Sequence, residues 1–123
     1  MAVPILKQGP WLIASIQSAL TDTDVLRLQD DVMGQVGRYR SRGIIVDVTA
    51  LDVMDSFVSR SLRGISQMTR LRGATTVIVG IQPEVAFAMV QLGMSFEDVQ
   101  TTLDLEEGLA LLQARKEPGE SGG

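Results

Sequence analysis

Apolar positions along this chain follow two alternating rhythms, and the alternation predicts the fold class. Compact apolar runs fall at residues 4–7, 11–16, 43–48 and 75–79, with a weaker one at 99–102. Several are rich in β-branched residues and bounded by Gly or Pro, which marks strands. Gly43-Ile44-Ile45-Val46 shows no apolar–polar alternation, as in a central strand covered by helices on both faces. Gln8-Gly9-Pro10 is a turn signal, so the first two runs are predicted to form a hairpin.

Between these runs the apolar spacing changes to three and four. Over residues 23–40, Val25, Leu28, Val32, Val36 and Tyr39 form one helical stripe, widened by Leu26 and Met33. Thr21, Asp22, Thr23 and Asp24 supply N-cap oxygens and negative charge for its start; Arg38, Arg40 and Arg42 supply cations near its end. Gly34 and Gly37 weaken its second half, each by up to about 1 kcal/mol relative to Ala. A second helix is predicted over 55–71, burying Val58, Leu62, Ile65 and Met68, with Gly73 as its stop. A third begins at Pro83 and carries Val85, Phe87, Met89, Val90 and Leu92 before Gly93. The last opens on Asp104-Leu105-Glu106-Glu107, an acidic variant of the capping box, ahead of Leu109 and Leu112. Arg115 and Lys116 complement its C-terminus.

The order β-β-α-β-α-β-α-β-α predicts one α/β domain over residues 1–116, with a mixed, mainly parallel sheet and an antiparallel hairpin at its start. Residues 117–123 lack apolar content and are expected to form a disordered tail.

Composition narrows the chemistry. With 123 residues, 45% of them hydrophobic and only 4% aromatic, the chain can fill a core mainly with aliphatic side chains. It has no cysteine, which excludes disulfides, thiol nucleophiles and thiolate metal sites. It has no histidine either, so Ser-His and Cys-His catalysis are excluded and the commonest metal ligand is missing. Lys7 and Lys116 are its only lysines. A formal net charge of −4 gives no general attraction to nucleic acid or to anionic membranes. No apolar stretch approaches the roughly 20 residues of a membrane span. Met1 to Lys7 lacks the features of a secretory signal. The expectation is a cytoplasmic protein without cofactor or metal, bound to other proteins.

Three constellations compete for function. No G-x-G-x-x-G or G-x-x-x-x-G-K-[ST] pattern occurs, so Gly73 and Gly80 punctuate a strand rather than cradle a phosphate. Asp47, Asp52 and Asp55 follow the central strand, where open α/β sheets place sites, and could hold magnesium. Without a neighbouring lysine, histidine or phosphate loop, turn and N-cap roles for Asp52 and Asp55 are the better account. Ser56 stands at the first turn of the second predicted helix. It is open to two readings, a helix-start residue or a hydroxyl whose phosphorylation the free amides of that turn would tolerate. No acidic residue lies between Ser56 and Pro83, whereas Arg60, Arg63, Arg70 and Arg72 do. One or two of these could contact a partner or a phosphate; the rest read as a solvated face. Trp11 and Phe57 read first as core, and as interface anchors only second.

The run from Ile44 through Asp47, Asp52 and Asp55 to Ser56-Phe57 resembles the signature of STAS domains, the fold of bacterial anti-sigma-factor antagonists. Within that family it resembles the RsbS-type branch. Pro4-Ile5-Leu6-Lys7, Ser15-Ile16-Gln17, Gly80-Ile81-Gln82-Pro83-Glu84-Val85-Ala86 and Leu103-Asp104-Leu105-Glu106-Glu107-Gly108-Leu109 extend the similarity over nearly the whole chain. The resemblance implies that Ser56 is a phosphoacceptor flanked by Asp52, Asp55 and Phe57, with Arg60 and Arg63 as candidate partner contacts. It also implies a non-enzymatic stressosome scaffold that joins sensor-bearing RsbR-like paralogs in a large shell and holds an RsbT-like serine kinase. Phosphorylation would release the kinase, and a PP2C-type phosphatase would reset the system. Phe57-Val58 departs from the small residue and glycine that follow the serine in many anti-sigma antagonists. Three alternatives remain: a stand-alone antagonist binding a kinase one-to-one, a magnesium enzyme built on Asp47, Asp52 and Asp55, and a transporter-associated STAS domain.

Overall fold

The computed structural model describes residues 3–93 and 99–115, and in it the chain folds back at Gly9 as the turn signal predicts. Strands β1 (Ile5–Gln8) and β2 (Trp11–Ser15) pair antiparallel, with Gln8 opposite Trp11. Strands β3 (Gly43–Asp47), β4 (Thr75–Val79) and β5 (Gln100–Thr102) each run parallel to the preceding strand. The sheet order is β1-β2-β3-β4-β5, so the α/β class, the hairpin and the mainly parallel sheet are as predicted. The expected tail at 117–123 lies outside the described residues.

Four helices connect and follow the parallel strands: α1 (Asp22–Tyr39), α2 (Ser56–Leu71), α3 (Pro83–Gln91) and α4 (Leu105–Arg115). The first is closed by a reciprocal capping box. Thr21 Oγ1 accepts from the Asp24 amide at 3.1 Å, and Asp24 Oδ2 accepts from the Thr21 amide at 3.0 Å. At the last helix, Asp104 Oδ1 accepts from the Glu107 amide at 2.8 Å, while Glu107 Oε1 reaches back to the Leu103 amide at 3.0 Å. The acidic capping pattern therefore works as its sequence suggests, one residue wider than the standard box.

Burial explains why the middle strands lack alternation. One sheet face packs Leu12, Ala14, Ile44, Val46 and Ile78 against Val25, Leu28, Val32 and Val36 of α1, Val58, Leu62 and Ile65 of α2, and Val85 and Met89 of α3. The other packs Trp11, Ile13, Ile45, Val77 and Val79 against Leu112, with Leu105, Leu109 and Leu111 of α4 half-buried around them. Trp11 is core, as expected. α4 sits so close to the sheet that a Cβ on Gly108 would lie 2.8 Å from Val79 Cγ1.

Some helical apolar positions turn away from the core. Leu26 and Tyr39 are exposed, although the stripe of α1 includes them. Tyr39 closes the helix beside Lys7 and Arg38, whose charged groups lie 5.6 and 5.4 Å from its ring centroid. Phe87, Val90 and Leu92 are 66%, 76% and 68% exposed. α3 links β4 to the three-residue β5, and two buried side chains, Val85 and Met89, seat it.

Truncating Leu112 should therefore cost far more than truncating Phe87. Leu112→Ala is expected to lower unfolding free energy by about 3 kcal/mol. Phe87→Ala should change it by less than about 0.5 kcal/mol. Equilibrium urea denaturation monitored by circular dichroism measures both.

Candidate functional site

The segment between β3 and α2 is held by three buried side chains and a set of short bonds. Val48, Leu51 and Met54 are buried in the core, while Asp52 and Val53 are turned to solvent. The Val48 amide donates to Val79 O at 3.0 Å and the Leu51 amide to Val48 O at 2.9 Å. Asp47 Oδ1 accepts from both the amide and the hydroxyl of Thr49, at 2.9 and 2.6 Å. Gln82 Nε2 donates to Thr49 O at 2.8 Å, tying the segment to the start of α3. Gly80 has a φ of +80°, and a Cβ there would collide with the Thr49 side chain. The Gly80 amide continues the tie to Thr102 O at 3.1 Å. The ends of β3, β4 and β5 are thus bound together at the edge of the sheet from which α2 starts.

That start is capped by Asp55, whose Oδ1 accepts from the Val58 amide at 2.8 Å. Ser56 is the first helical residue, and its side chain is exposed. The amides of Ser56 and Phe57 have no acceptor within the helix, and they share the positive end of its dipole. Phe57 is half-buried against the core, as expected, rather than an exposed anchor. Of the other serines in the helix, Ser59 and Ser66 are buried and Ser61 is half-buried. Ser59 Oγ has no hydrogen-bond partner and fills core space as a small side chain. Ser56 is the one fully exposed serine of α2.

The arginines divide into two groups. Arg60 and Arg63 are exposed and stand four and seven residues after Ser56, on the same helix face. Arg70 and Arg72 lie at the other end, roughly 20 Å away at 1.5 Å per residue. Only the first pair can face a group attached to Ser56.

The three aspartates do not form a metal centre. Asp47 is spent on Thr49 and Asp55 on the helix cap, while Asp52 is exposed. Among the described residues no three Asp or Glu side chains come together in a way that could hold a metal ion. No described helix is long and apolar enough to cross a membrane.

Thr49, Gly80 and Gln82 hold the site from beneath, and sequence reasoning gave none of them this role. The Asp47-Val48-Thr49 spacing, an aspartate two residues before a hydroxyl, was the available signal for the first. Gly80 reads in sequence as a strand stop, because its neighbour Thr49 lies far away along the chain.

The STAS domain family model matches residues 2–108. The chain belongs to the STAS domain family. Its mixed five-stranded sheet with four helices is the STAS fold. A serine-to-glutamate variant of RsbS from Moorella thermoacetica superposes with a TM-score of 0.81 at 31% identity, covering 93% of this chain and 97% of that one. A chain from the molecular architecture of the stressosome, a signal integration and transduction hub, gives a TM-score of 0.76 at 30% identity, covering 93% and 99%. In sequence, the RsbT co-antagonist protein RsbRA of Bacillus subtilis (strain 168) is 31% identical over 83 residues, which are 68% of this chain and 30% of RsbRA. This STAS chain therefore spans less than a third of that relative's length. The unphosphorylated anti-sigma factor antagonist SpoIIAA shares the fold, with a TM-score of 0.67 at 15% identity and coverage of 92% and 97%.

The packing around Ser56 sets its own tests. Asp55→Ala should lower stability by about 1 kcal/mol through loss of the cap. Asp52→Asn should shift it by less than about 0.5 kcal/mol. Gly80→Ala should cost more than the cap variant, since it adds both left-handed strain and the collision with Thr49. Thermal unfolding of the three variants side by side ranks them.

Proposed function

We propose that this STAS protein is a non-enzymatic stressosome scaffold and partner switch. Unmodified, it joins sensor-bearing RsbR-like paralogs and holds an RsbT-like serine kinase; phosphorylated on Ser56, it lets the kinase go. A PP2C-type phosphatase returns it to the first state. The observation that carries the reading is the exposed hydroxyl of Ser56 at the first position of α2, in a chain that matches RsbS over 97% of the RsbS structure.

Physical chemistry supports a phosphate at this position. It would add about −1.5 to −2 charges. The amides of Ser56 and Phe57 and the guanidinium of Arg60 offer it donors, while the Asp55 carboxylate repels it. The hydroxyl takes no part in the bonds that hold the loop, so modification leaves the domain folded and changes the charge a partner meets. RsbRA, whose name makes it a co-antagonist of RsbT, supports a kinase of that type as the partner. The solved RsbS variant carries a glutamate where a serine stood, the replacement that leaves a permanent negative charge. Repetition in a shell turns a small loss at each copy into a large loss of avidity.

Incubation with an RsbT-like kinase, ATP, magnesium and an RsbR-like paralog, followed by phosphopeptide mapping, is the direct test. Phosphate is expected on Ser56 alone and on no residue of Ser56→Ala. That variant should assemble with the paralog, retain the kinase and block its release. If Ser56→Ala freed the kinase as readily as the phosphorylated protein does, the switch would not be at Ser56. Particle size separates the scaffold from a stand-alone antagonist, because only the scaffold gives assemblies much larger than a one-to-one kinase complex.

A further inference from the structure

Helices α1 and α2 pack side by side on one face of the sheet, and a polar contact crosses their seam. Gln29 Nε2 of α1 donates to the sulfur of Met68 on α2 at 3.6 Å. Both side chains are half-buried, and Met68 rests against the core. A thioether is a weak acceptor, so the Gln29 amide directs a good donor at a poor partner.

The chain has no cysteine, and all of its sulfur is carried by six methionines. Those among the described residues differ in their surroundings. Met54 and Met89 are buried in the apolar core, at 7% and 5% exposure, where an oxidant has little access while the domain is folded. Met33 and Met68 are half-buried and open in part to solvent. Of these four sulfurs, that of Met68 is the one with a hydrogen-bond donor on it. The donor covers one of the two lone pairs and leaves the other face of the sulfur open.

We infer that Met68 is a modification site, oxidised reversibly by a hydroperoxide to one epimer of the sulfoxide, and that Gln29 is its positioning residue. The open lone pair attacks one peroxide oxygen, and the S–O bond forms as the O–O bond breaks. With hydrogen peroxide, the departing oxygen takes up the proton of the transferred one and leaves as water. Sulfur loses two electrons and the peroxide gains them. The product is polar and chiral where the thioether was apolar. Left unpaired in a half-buried seam, its oxygen would loosen the packing of α2 on α1. Rotation of the unbranched side chain instead brings that oxygen to the Gln29 N–H, a donor already in place. Sulfoxide reductases, one for each epimer, supply the return step. The modified residue lies on the helix that begins at Ser56, but the inference does not rest on phosphorylation of that serine.

The full chain, treated with hydrogen peroxide, is mapped by peptide mass spectrometry and melted under circular dichroism before and after treatment. Sulfoxide should accumulate at Met68 at least about threefold faster than at Met54 or Met89, because oxidation follows exposure. One of the two epimer-specific reductases should restore Met68, and the other should leave most of it oxidised. Gln29→Glu keeps the size of the side chain and replaces the donor by an acceptor-only carboxylate. In this variant both epimers should form in near-equal amounts, and oxidation should lower the melting temperature by about 5 °C more than in the unmodified chain. Adding Met68→Leu to Gln29→Glu should abolish that extra shift. Oxidation of Met54 or Met89 as fast as Met68 would overturn the inference, as would an even mixture of Met68 epimers in the unmodified chain. So would a folded Gln29→Glu variant with the epimer ratio and melting shift of the unmodified chain, or an extra shift that persists once Met68 is Leu.

Discussion

Strand β3 can exist only where both of its edges and both of its faces are covered. Ile44, Ile45 and Val46 are fully buried, and their backbone groups are satisfied by β2 on one side and β4 on the other. Parallel neighbours require crossovers, and crossover helices cover the faces. Everything functional in the domain follows from that requirement. Each helix must start at the edge where the strands end, and the segment after the most buried strand must deliver its helix start there. The place of Ser56 is a consequence of how β3 is buried.

The same requirement separates what is legible in the sequence from what is not. Two-fold and near-four-fold rhythms are local, so the five strands and four helices could be read to within a few residues of their ends. Asp55 as a cap and Asp104 with Glu107 as a modified capping box were legible for the same reason, since their partners lie within a few residues. Sheet order was not legible, nor was it legible that α3 would bury only Val85 and Met89 and leave Phe87 and Val90 outside. The tie between Thr49, Gly80 and Gln82 was also illegible, because it joins residues about thirty apart whose identities carry no local pattern. Ser56 stood between these cases. Local sequence left it open whether the residue was a helix start or a modification site, and family resemblance favoured the second. The structure adds that it is exposed while Ser59 and Ser66 are not.

Rigidity beneath the site matters for how a charge could act there. Leu51 and Met54 hold the segment before α2 by burial, and Asp47, Thr49 and Gln82 hold it by hydrogen bonds, none of which involves the Ser56 hydroxyl. A partner's surface therefore meets a fixed arrangement: a capped helix start, the exposed Ser56 hydroxyl, and Arg60 on the same face. On a mobile loop, ordering costs would blur the difference between modified and unmodified states. Here the difference is almost wholly electrostatic.

Electrostatics at a helix start also has a direction. The positive end of the dipole and the open amides favour a new anion, yet Asp55 already occupies the best acceptor position, with the Val58 amide at 2.8 Å. A phosphate on Ser56 would share the remaining donors while repelling that carboxylate. Neither effect is large enough to unfold a helix whose buried face is set by Val58, Leu62 and Ile65. What changes most is the field outside the domain, at an edge already lined with carboxylates. A partner surface matched to the neutral hydroxyl is penalised, and a cationic one is favoured. The effect of a charge at Ser56 on any contact would therefore depend on the sign of the surface facing it.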